Sequence, residues 1–328
     1  MKIRDRINDI DPQKVLLRFM QHGLGDAVMF RIVIKHLKHY FPNWSLDVEC
    51  RKGFADCFRD LVDNVYPLRY PWEPNKADGY TIKEYIPFEQ SEFLWPDVPS
   101  TKPTQCLYNW GLTPIEDLYD YDCVVSADQR QAAEAFMQSL PGLKILLHFQ
   151  GTSRPEEKSF DLEDQKEFLE AIKEQMEGYT PVLLDWSGSN PLIDNENVHC
   201  PEFLRGKTDA GILVALAEYA SAALMIDSGP AHVVASVKHL PLNVMWMGTC
   251  ADECFDCPNQ PTLRHIFVTH HPDEYKNTYF LEHSNKAILH DDCTFHDIVD
   301  VLKLQTWNPE TKEYIDQPLP KDAWQVSF

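Results

Sequence analysis

Two hydrophobic rhythms take turns along this chain. Lys14-Val-Leu-Leu-Arg-Phe19 is a short apolar run of strand length. The turn His22-Gly-Leu-Gly-Asp26 follows, and apolar residues then recur at Phe30, Val33, Ile34, Leu37 and Phe41, which is helical spacing. Pro42 predicts the end of that helix. Leu46-Asp-Val-Glu-Cys50 alternates as a second strand. Strand, helix and strand in succession form a β-α-β unit, the seed of a parallel sheet. Between residues 66 and 127 prolines and aromatics are dense and no period holds.

The rhythm resumes near residue 128. Gln129 to Leu140 has helical spacing, Leu143-Lys-Ile-Leu-Leu-His148 reads as a strand, and the turn Gln150-Gly-Thr-Ser153 follows. Leu162 to Glu177 is a helix with Phe168, Leu169 and Ile172 on one face. Pro181-Val-Leu-Leu-Asp185 is the next strand, Asp209 to Ala220 a helix, and Ala223-Leu-Met-Ile226 a strand. Asp227-Ser-Gly-Pro-Ala-His232 opens a further helix, and Asn243-Val-Met-Trp-Met247 is another strand. The pattern predicts an α/β chain of two Rossmann-like, doubly wound domains, residues 1–140 and 141–305. A Pro-rich, polar tail, residues 306–328, carries Trp307 and Trp324 as expected docking points.

Length agrees with two domains, because 328 residues exceed the roughly 250–300 that one core organises. Hydrophobic residues at 44% and charged residues at 25% exclude disorder and fibrous repeats. Charge narrows the partners. Thirty Lys and Arg against 51 Asp and Glu give a net charge of −21, which argues against a protein that coats nucleic acid or an anionic membrane. The first 14 residues hold no apolar core of a signal peptide. The longest apolar stretch, Gly211 to Ile226, is broken by Glu218 and is too short to span a bilayer. Nine scattered cysteines, an odd number, fit reduced thiols and a cytoplasmic chain better than a disulfide framework.

Ligands of doubly wound sheets sit beyond the carboxyl ends of the strands, and the unusual residues of this chain fall there. Gly23, Gly25 and Asp26 follow the first strand; Gly151, Thr152 and Ser153 follow the strand ending at His148; Asp227, Ser228 and Gly229 follow the strand ending at Ile226. Each has two readings. Asp26 is a helix cap, or a general base that takes a proton from an attacking hydroxyl. Gly23 and Gly25 are turn glycines, or they let a substrate approach the backbone. Their spacing does not complete G-x-G-x-x-G, so a nicotinamide cofactor is poorly supported. Gly151, Thr152 and Ser153 form a plain loop, or present donors to a diphosphate. Ser228 with Pro230 reads as an N-cap, and the same turn offers backbone N–H groups to an anion. His232 is a packed histidine, or it reaches a nucleotide. Arg31, Lys35 and Lys38 share a helix face that is either solvated or turned to an anionic acceptor. Cys250, Cys254 and Cys257, with Cys293, are four thiols able to form a tetrahedral metal site, but their spacing is not that of a zinc ribbon. Reduced structural thiols, with no metal, are the expectation.

Taken together, Gly23-Leu-Gly-Asp26, His148-Phe-Gln-Gly-Thr-Ser153 with Lys158, and Asp227-Ser-Gly-Pro-Ala-His232 resemble the three main motifs of the ADP-heptose:lipopolysaccharide heptosyltransferases, glycosyltransferase family nine. Cys293-Thr-Phe-His-Asp-Ile-Val-Asp-Val301 is similar to the segment that often closes family members. The family's usual Lys-Arg-Trp-Pro is here Lys158-Ser-Phe-Asp161, which keeps the aromatic in kind and loses the Arg and the Pro. The resemblance implies a GT-B fold, two Rossmann-like domains facing a cleft, and an inverting transfer of a heptose or related sugar from a nucleotide-diphosphate donor to an acceptor hydroxyl. It implies Asp26 as the base and Lys158 at the phosphates. The 151–153 and 227–232 turns would lie around the nucleotide sugar, with Gly23, Gly25 and Arg31 on the acceptor side. No cofactor is required beyond the donor. A nucleotide-sugar epimerase and a non-catalytic nucleotide- or partner-binding protein stay open as alternatives. The acceptor is a glycan, a protein or, less in keeping with the charge, a nucleic-acid base.

Overall fold

A computed structural model describes residues 14–19, 23–68, 80, 82–85, 102–151, 159–186, 188, 190, 192, 195, 197–206, 209–246, 263–269, 286–290, 293–316 and 325–327. β1 (Lys14–Arg18) leads into α1 (Leu24–Tyr40), and the chain returns through β2 (Ser45–Cys50), a 3-10 turn over Lys52–Cys57, and β3 (Asn64–Pro67). With β4 (Ile82–Tyr85) these strands form a sheet of order β3-β2-β1-β4 in which every pairing is parallel. Next come α2 (Lys102–Asn109) and α3 (Ala127–Ser139). Then follow β5 (Leu143–His148), α4 (Leu162–Gln175), β6 (Tyr179–Leu183), α5 (Ala210–Glu218), β7 (Ala222–Ile226) and α6 (Gly229–Val234). β8 (Leu242–Trp246), β9 (Leu263–Thr269), β10 (Lys286–His290) and α7 (Phe295–Lys303) continue the pattern. β11 (Gln305–Asn308) and β12 (Glu313–Asp316) make a hairpin, and β13 (Gln325–Ser327) returns to the sheet edge. The second sheet has the order β13-β10-β9-β8-β7-β5-β6, parallel except where β13 meets β10. The α/β class with parallel sheets is therefore the observed one.

The strand β5 shows why its run is continuously apolar. Leu146 faces one core, with Val15, Phe30, Leu213 and Val234, while Ile145 and Leu147 face the other, with Phe168, Ile172 and Val299. A parallel strand covered on both faces needs apolar side chains on both. The first of these cores is continuous from β1 through α1 and α6 to the second sheet. α1 is consequently buried around almost its whole circumference from Leu24 to Leu37, not along a single stripe. Pro181 lies inside β6, two residues past that strand's observed start. This is tolerated because β6 is an edge strand of the sheet, where the missing N–H breaks no central ladder.

The start of α3 illustrates local encoding. Ser126 caps the helix through Gln129 N at 3.2 Å, and the Gln129 side chain accepts from Ser126 N at 2.7 Å. Ser-x-x-Gln is the signature of this reciprocal cap. In the tail, Trp307 packs against His239 and Tyr314, with ring centroids 4.9 and 5.0 Å apart. Trp324 lies outside the described residues.

Candidate functional site at the meeting of two strand-end turns

The turn after β1 enters α1 with Gly23 as the N-cap, in extended conformation. Asp26 therefore lies in the first helical turn and is not the cap. No side chain caps this helix, and the Asp26 carboxylate instead accepts from Lys102 Nζ of α2 at 3.0 Å. Both side chains keep 20% of their surface exposed. The position suits a carboxylate, since the positive end of the α1 dipole is within one turn.

The turn after β7 places Ser228 as the N-cap of α6, again in extended conformation. Its hydroxyl donates back to the Ile226 carbonyl at 3.2 Å, so it does not cap the α6 amides. Pro230 follows in the first turn. Asp227 and His232 are both buried, with Asp227 Oδ1 4.0 Å from His232 Nε2. The ring of His232 lies 5.9 Å from that of Tyr121.

These two turns touch each other. A β-carbon on Gly229 would meet Leu24 Cβ at 2.8 Å and Gly25 N at 2.9 Å, and one on Gly25 would meet His232 Cδ2 at 2.6 Å. Glycine at both places is thus a condition for the close approach of α1 and α6. The third turn is a neighbour through the sheet: β5 pairs with β7 in parallel, His148 opposite Met225, so the loops that follow the two strands leave the same edge of the sheet. The Gly151 amide itself donates to Ser159 Oγ at 3.0 Å. Thr152, Ser153 and Lys158 lie outside the described residues.

His148, at the end of β5, is buried beneath this edge. Its Nδ1 bonds to the Leu184 carbonyl at 3.1 Å, which fixes Nδ1 as the protonated nitrogen, and its ring meets Trp186 edge-on at 5.1 Å. Burial pushes its pKa down to about 4, so it is neutral at physiological pH.

Arg31 requires a correction. It is neither on a solvated face nor turned to an acceptor: it is 0% exposed and held by Asp60 through two bonds of 2.8 and 2.6 Å. It also donates to the Cys57 carbonyl. Burial opposes its charge, but Asp60 and Asp122 outweigh that and raise its pKa. Lys35 pairs with Asp122 and the Asp120 carbonyl, and of the three only Lys38 is exposed. Of the proposed thiol cluster, Cys250, Cys254 and Cys257 lie outside the described residues, and Cys293 is partly buried and in no disulfide. Among the described residues no group of three or more His, Cys, Asp or Glu side chains is placed to hold a metal, and no helix is long and apolar enough to cross a membrane.

Sequence reasoning missed Lys102 and Tyr121, both in the aperiodic stretch. For Lys102 one signal was present: Ser-Thr-Lys-Pro at residues 100–103 is a helix start with proline in the first turn.

No protein-family model matches the chain, and no curated protein matches it in sequence. Solved structures do match. A glycosyl transferase family 9 protein from Veillonella parvula is similar at 16% identity over 82% of this chain and 89% of its own, with a TM-score of 0.62. The E. coli ADP-heptose lps heptosyltransferase II is similar at 16% identity, over 77% and 89%, with a TM-score of 0.53. The E. coli heptosyltransferase WaaC with ADP gives 12%, 78% and 93%, and a TM-score of 0.51. The chain thus has the fold of the family 9 glycosyltransferases and the lipopolysaccharide heptosyltransferases.

Proposed function

We propose that this chain is an inverting glycosyltransferase that moves a heptose or related sugar from a nucleotide-diphosphate donor to an acceptor hydroxyl. The observation that carries this reading is the meeting of the Gly23–Asp26 turn with the 227–232 turn through Gly25 and Gly229, in a fold shared with heptosyltransferases. Residues 1–140 would present the acceptor and residues 141–305 the donor. Asp26 takes the proton as the acceptor oxygen attacks the anomeric carbon, and the bond from that carbon to the diphosphate oxygen breaks on the opposite face. Backbone amides at Ser228 and Gly229, together with Thr152, Ser153 and Lys158, offset the charge that builds on the leaving diphosphate. His232, beside Asp227, lines the donor side.

ADP is the nucleotide of choice, because a structural neighbour is described with ADP. Among the described residues no cysteine is in a disulfide, which supports a reducing, cytoplasmic setting.

Thermal-shift screening of ADP-, UDP- and GDP-sugars tests the donor, since a bound ligand stabilises the fold by mass action. Incubation of the best donor with candidate glycan acceptors, followed by NMR of the product's anomeric centre, tests the chemistry. An inverted linkage is expected. A donor epimerised without transfer, or a retained configuration, would overturn the reading.

A further inference from the structure

One pair of buried amides joins the chain that follows β5 to the chain that follows β6. The two strands run in parallel, Leu147 opposite Leu183, so both exits lie on the same edge of the sheet. After β5 the chain departs at Gly151 and is back at Ser159, and the two ends are pinned together. Phe160 N donates to the Phe149 carbonyl at 3.0 Å, and Gly151 N donates to Ser159 Oγ at 3.0 Å. The Phe160 carbonyl in turn accepts from Gln165 Nε2 of α4 at 2.8 Å. Gln165 Oε1 accepts from Asn190 Nδ2 at 2.9 Å, in the chain that leaves β6. Asn190 Oδ1 accepts from Leu192 N at 2.9 Å, and Asn190 N donates to Asp185 Oδ2 at 2.9 Å.

These bonds admit one amide orientation. The Phe160 carbonyl only accepts and the Leu192 N–H only donates, so each amide is fixed from its outer end and the two meet donor to acceptor. Gln165 is 1% exposed and Asn190 4%, so a lost partner leaves a buried polar atom unpaired. Gln165 stands on a fixed base, because Asp161 caps α4 through Glu163 N and Asp164 N at 2.8 and 2.9 Å. Apolar side chains of the same shape would fill the space as well. What the amides add is register between two stretches of chain that have no backbone pairing to set it.

We propose that Gln165 and Asn190 are positioning residues of the donor side, which hold the neck of the loop after β5 against the chain leaving β6. This rests on reading that edge as the donor-binding edge. Without the pair, each stretch keeps its own bonds but loses its place relative to the other. Only the fraction of molecules in register then binds the donor, and the apparent affinity falls by that fraction.

Calorimetry of the full chain with ADP reads the effect. Gln165→Met keeps the side-chain length and removes both amide bonds. It should weaken ADP about ten-fold, as when one molecule in ten holds the register. Asn190→Ala should do the same, and the double variant should bind no worse than the weaker single, because the two amides act as one unit. A pair that merely supports the fold would lower the binding stoichiometry and leave the Kd of the folded remainder at the wild-type value. That result would overturn the proposal, as would additive losses in the double variant. Hydrogen exchange of the wild-type chain decides the matter even where a variant does not fold. The Phe160, Asn190 and Leu192 amides should share one opening equilibrium, and ADP should protect all three together. Separate openings, or protection of Phe160 alone, would overturn it. A wild-type chain that binds none of ADP, UDP and GDP would remove the proposed function and the pair's role with it. Wild-type binding that Gln165→Met leaves unchanged would remove the pair's role alone.

Discussion

Gly25 packs against the imidazole of His232: a β-carbon on Gly25 would stand 2.6 Å from His232 Cδ2 and 3.2 Å from Nε2. The two residues belong to turns at the ends of strands in different sheets. Their contact brings the Asp26 carboxylate and the Asp227–Ser228 turn to one place. Residue 25 is thus fixed by a neighbour some two hundred positions away, not by the conformation of its own turn.

Gly25→Ala should destabilise the fold in spite of its helical position. Alanine gains roughly 1 kcal/mol of helix propensity over glycine. Forcing a methyl group into the His232 ring costs about 1–3 kcal/mol, the range of overpacked cores. Gly229→Ala should be worse, because its obstacles are Leu24 Cβ and the backbone nitrogen of Gly25, which cannot turn aside. Gly23→Ala meets only the end of the Asp26 side chain, at 2.7 Å, so it should spare stability and displace that carboxylate from Lys102. Urea midpoints of the three variants should fall in the order Gly23, Gly25, Gly229.

A second link between the sheets is a pair of carboxyl groups. Asp56, of the 3-10 turn beneath α1, faces Asp209, the N-cap of α5, and the Gln129 side chain donates to both, at 3.4 and 2.7 Å. Arg59 lies 2.9 Å from Asp56. Burial, then the hydrogen bond and negative charge of Asp209, raise the pKa of Asp56 above the usual carboxylate range. The folded state therefore holds this proton where the unfolded chain has lost it. Stability from this group is present at acid pH and lost as pH rises from about 3.9 through the raised value. Asp56→Asn should remove that slope and raise stability at pH 7 by roughly 0.5–1 kcal/mol, the scale of a partly exposed charge pair. Denaturant titrations at pH 5 and pH 7 check this.

His148 acts in the opposite direction. Its pKa is pushed down to about 4 by burial, against roughly 6.5 when unfolded. The unfolded chain binds the proton first, so the stability this residue contributes is complete above pH 6.5 and is lost as pH falls toward 4. Its NMR signals should show a neutral ring with the proton on Nδ1 down to pH 5. A charged ring at pH 6 would contradict the burial seen here.

The legible parts of this fold are those where burial on both faces writes a pure signal. β5, β7 and β8 are short apolar runs, and their ends fall within a residue or so of expectation. β9 hides because a buried Arg264 interrupts it; the guanidinium is accommodated by the Val301 carbonyl at 2.8 Å and Asn243 at 3.2 Å, partners no local pattern announces. β3 and β4 hide because four residues hold only two strand repeats, too few to stand out as an alternation. In the candidate site, Asp26 and Asp227 stand at strand ends and could be read from the chain. Lys102 could not, because its pairing with Asp26 is tertiary. Arg31 was misplaced because helical spacing finds a shared face but not whether a carboxylate such as Asp60 waits opposite it.

Asp26→Asn separates the proposed base from its surroundings. Gly23 holds the cap position of α1, so asparagine at 26 has no cap to fail, and its side-chain oxygen still accepts from Lys102. Loss of the charge in a partly exposed pair should cost about 0.2–1 kcal/mol of stability at most. Donor binding should be unchanged, because the proposed donor contacts lie on the 227–232 side. Transfer should fall by roughly 10²–10⁴-fold, the share general-base catalysis supplies. Lys102→Met leaves the carboxylate in place but unheld, so it should lower turnover by less, on the order of ten-fold, the worth of an ion pair of about 1 kcal/mol or a little more. If Lys102 acts only through Asp26, the double variant should be no slower than Asp26→Asn alone, since residues that work as a unit are not additive. Turnover by Asp26→Asn at the wild-type rate, with the donor bound, would place the base on another residue.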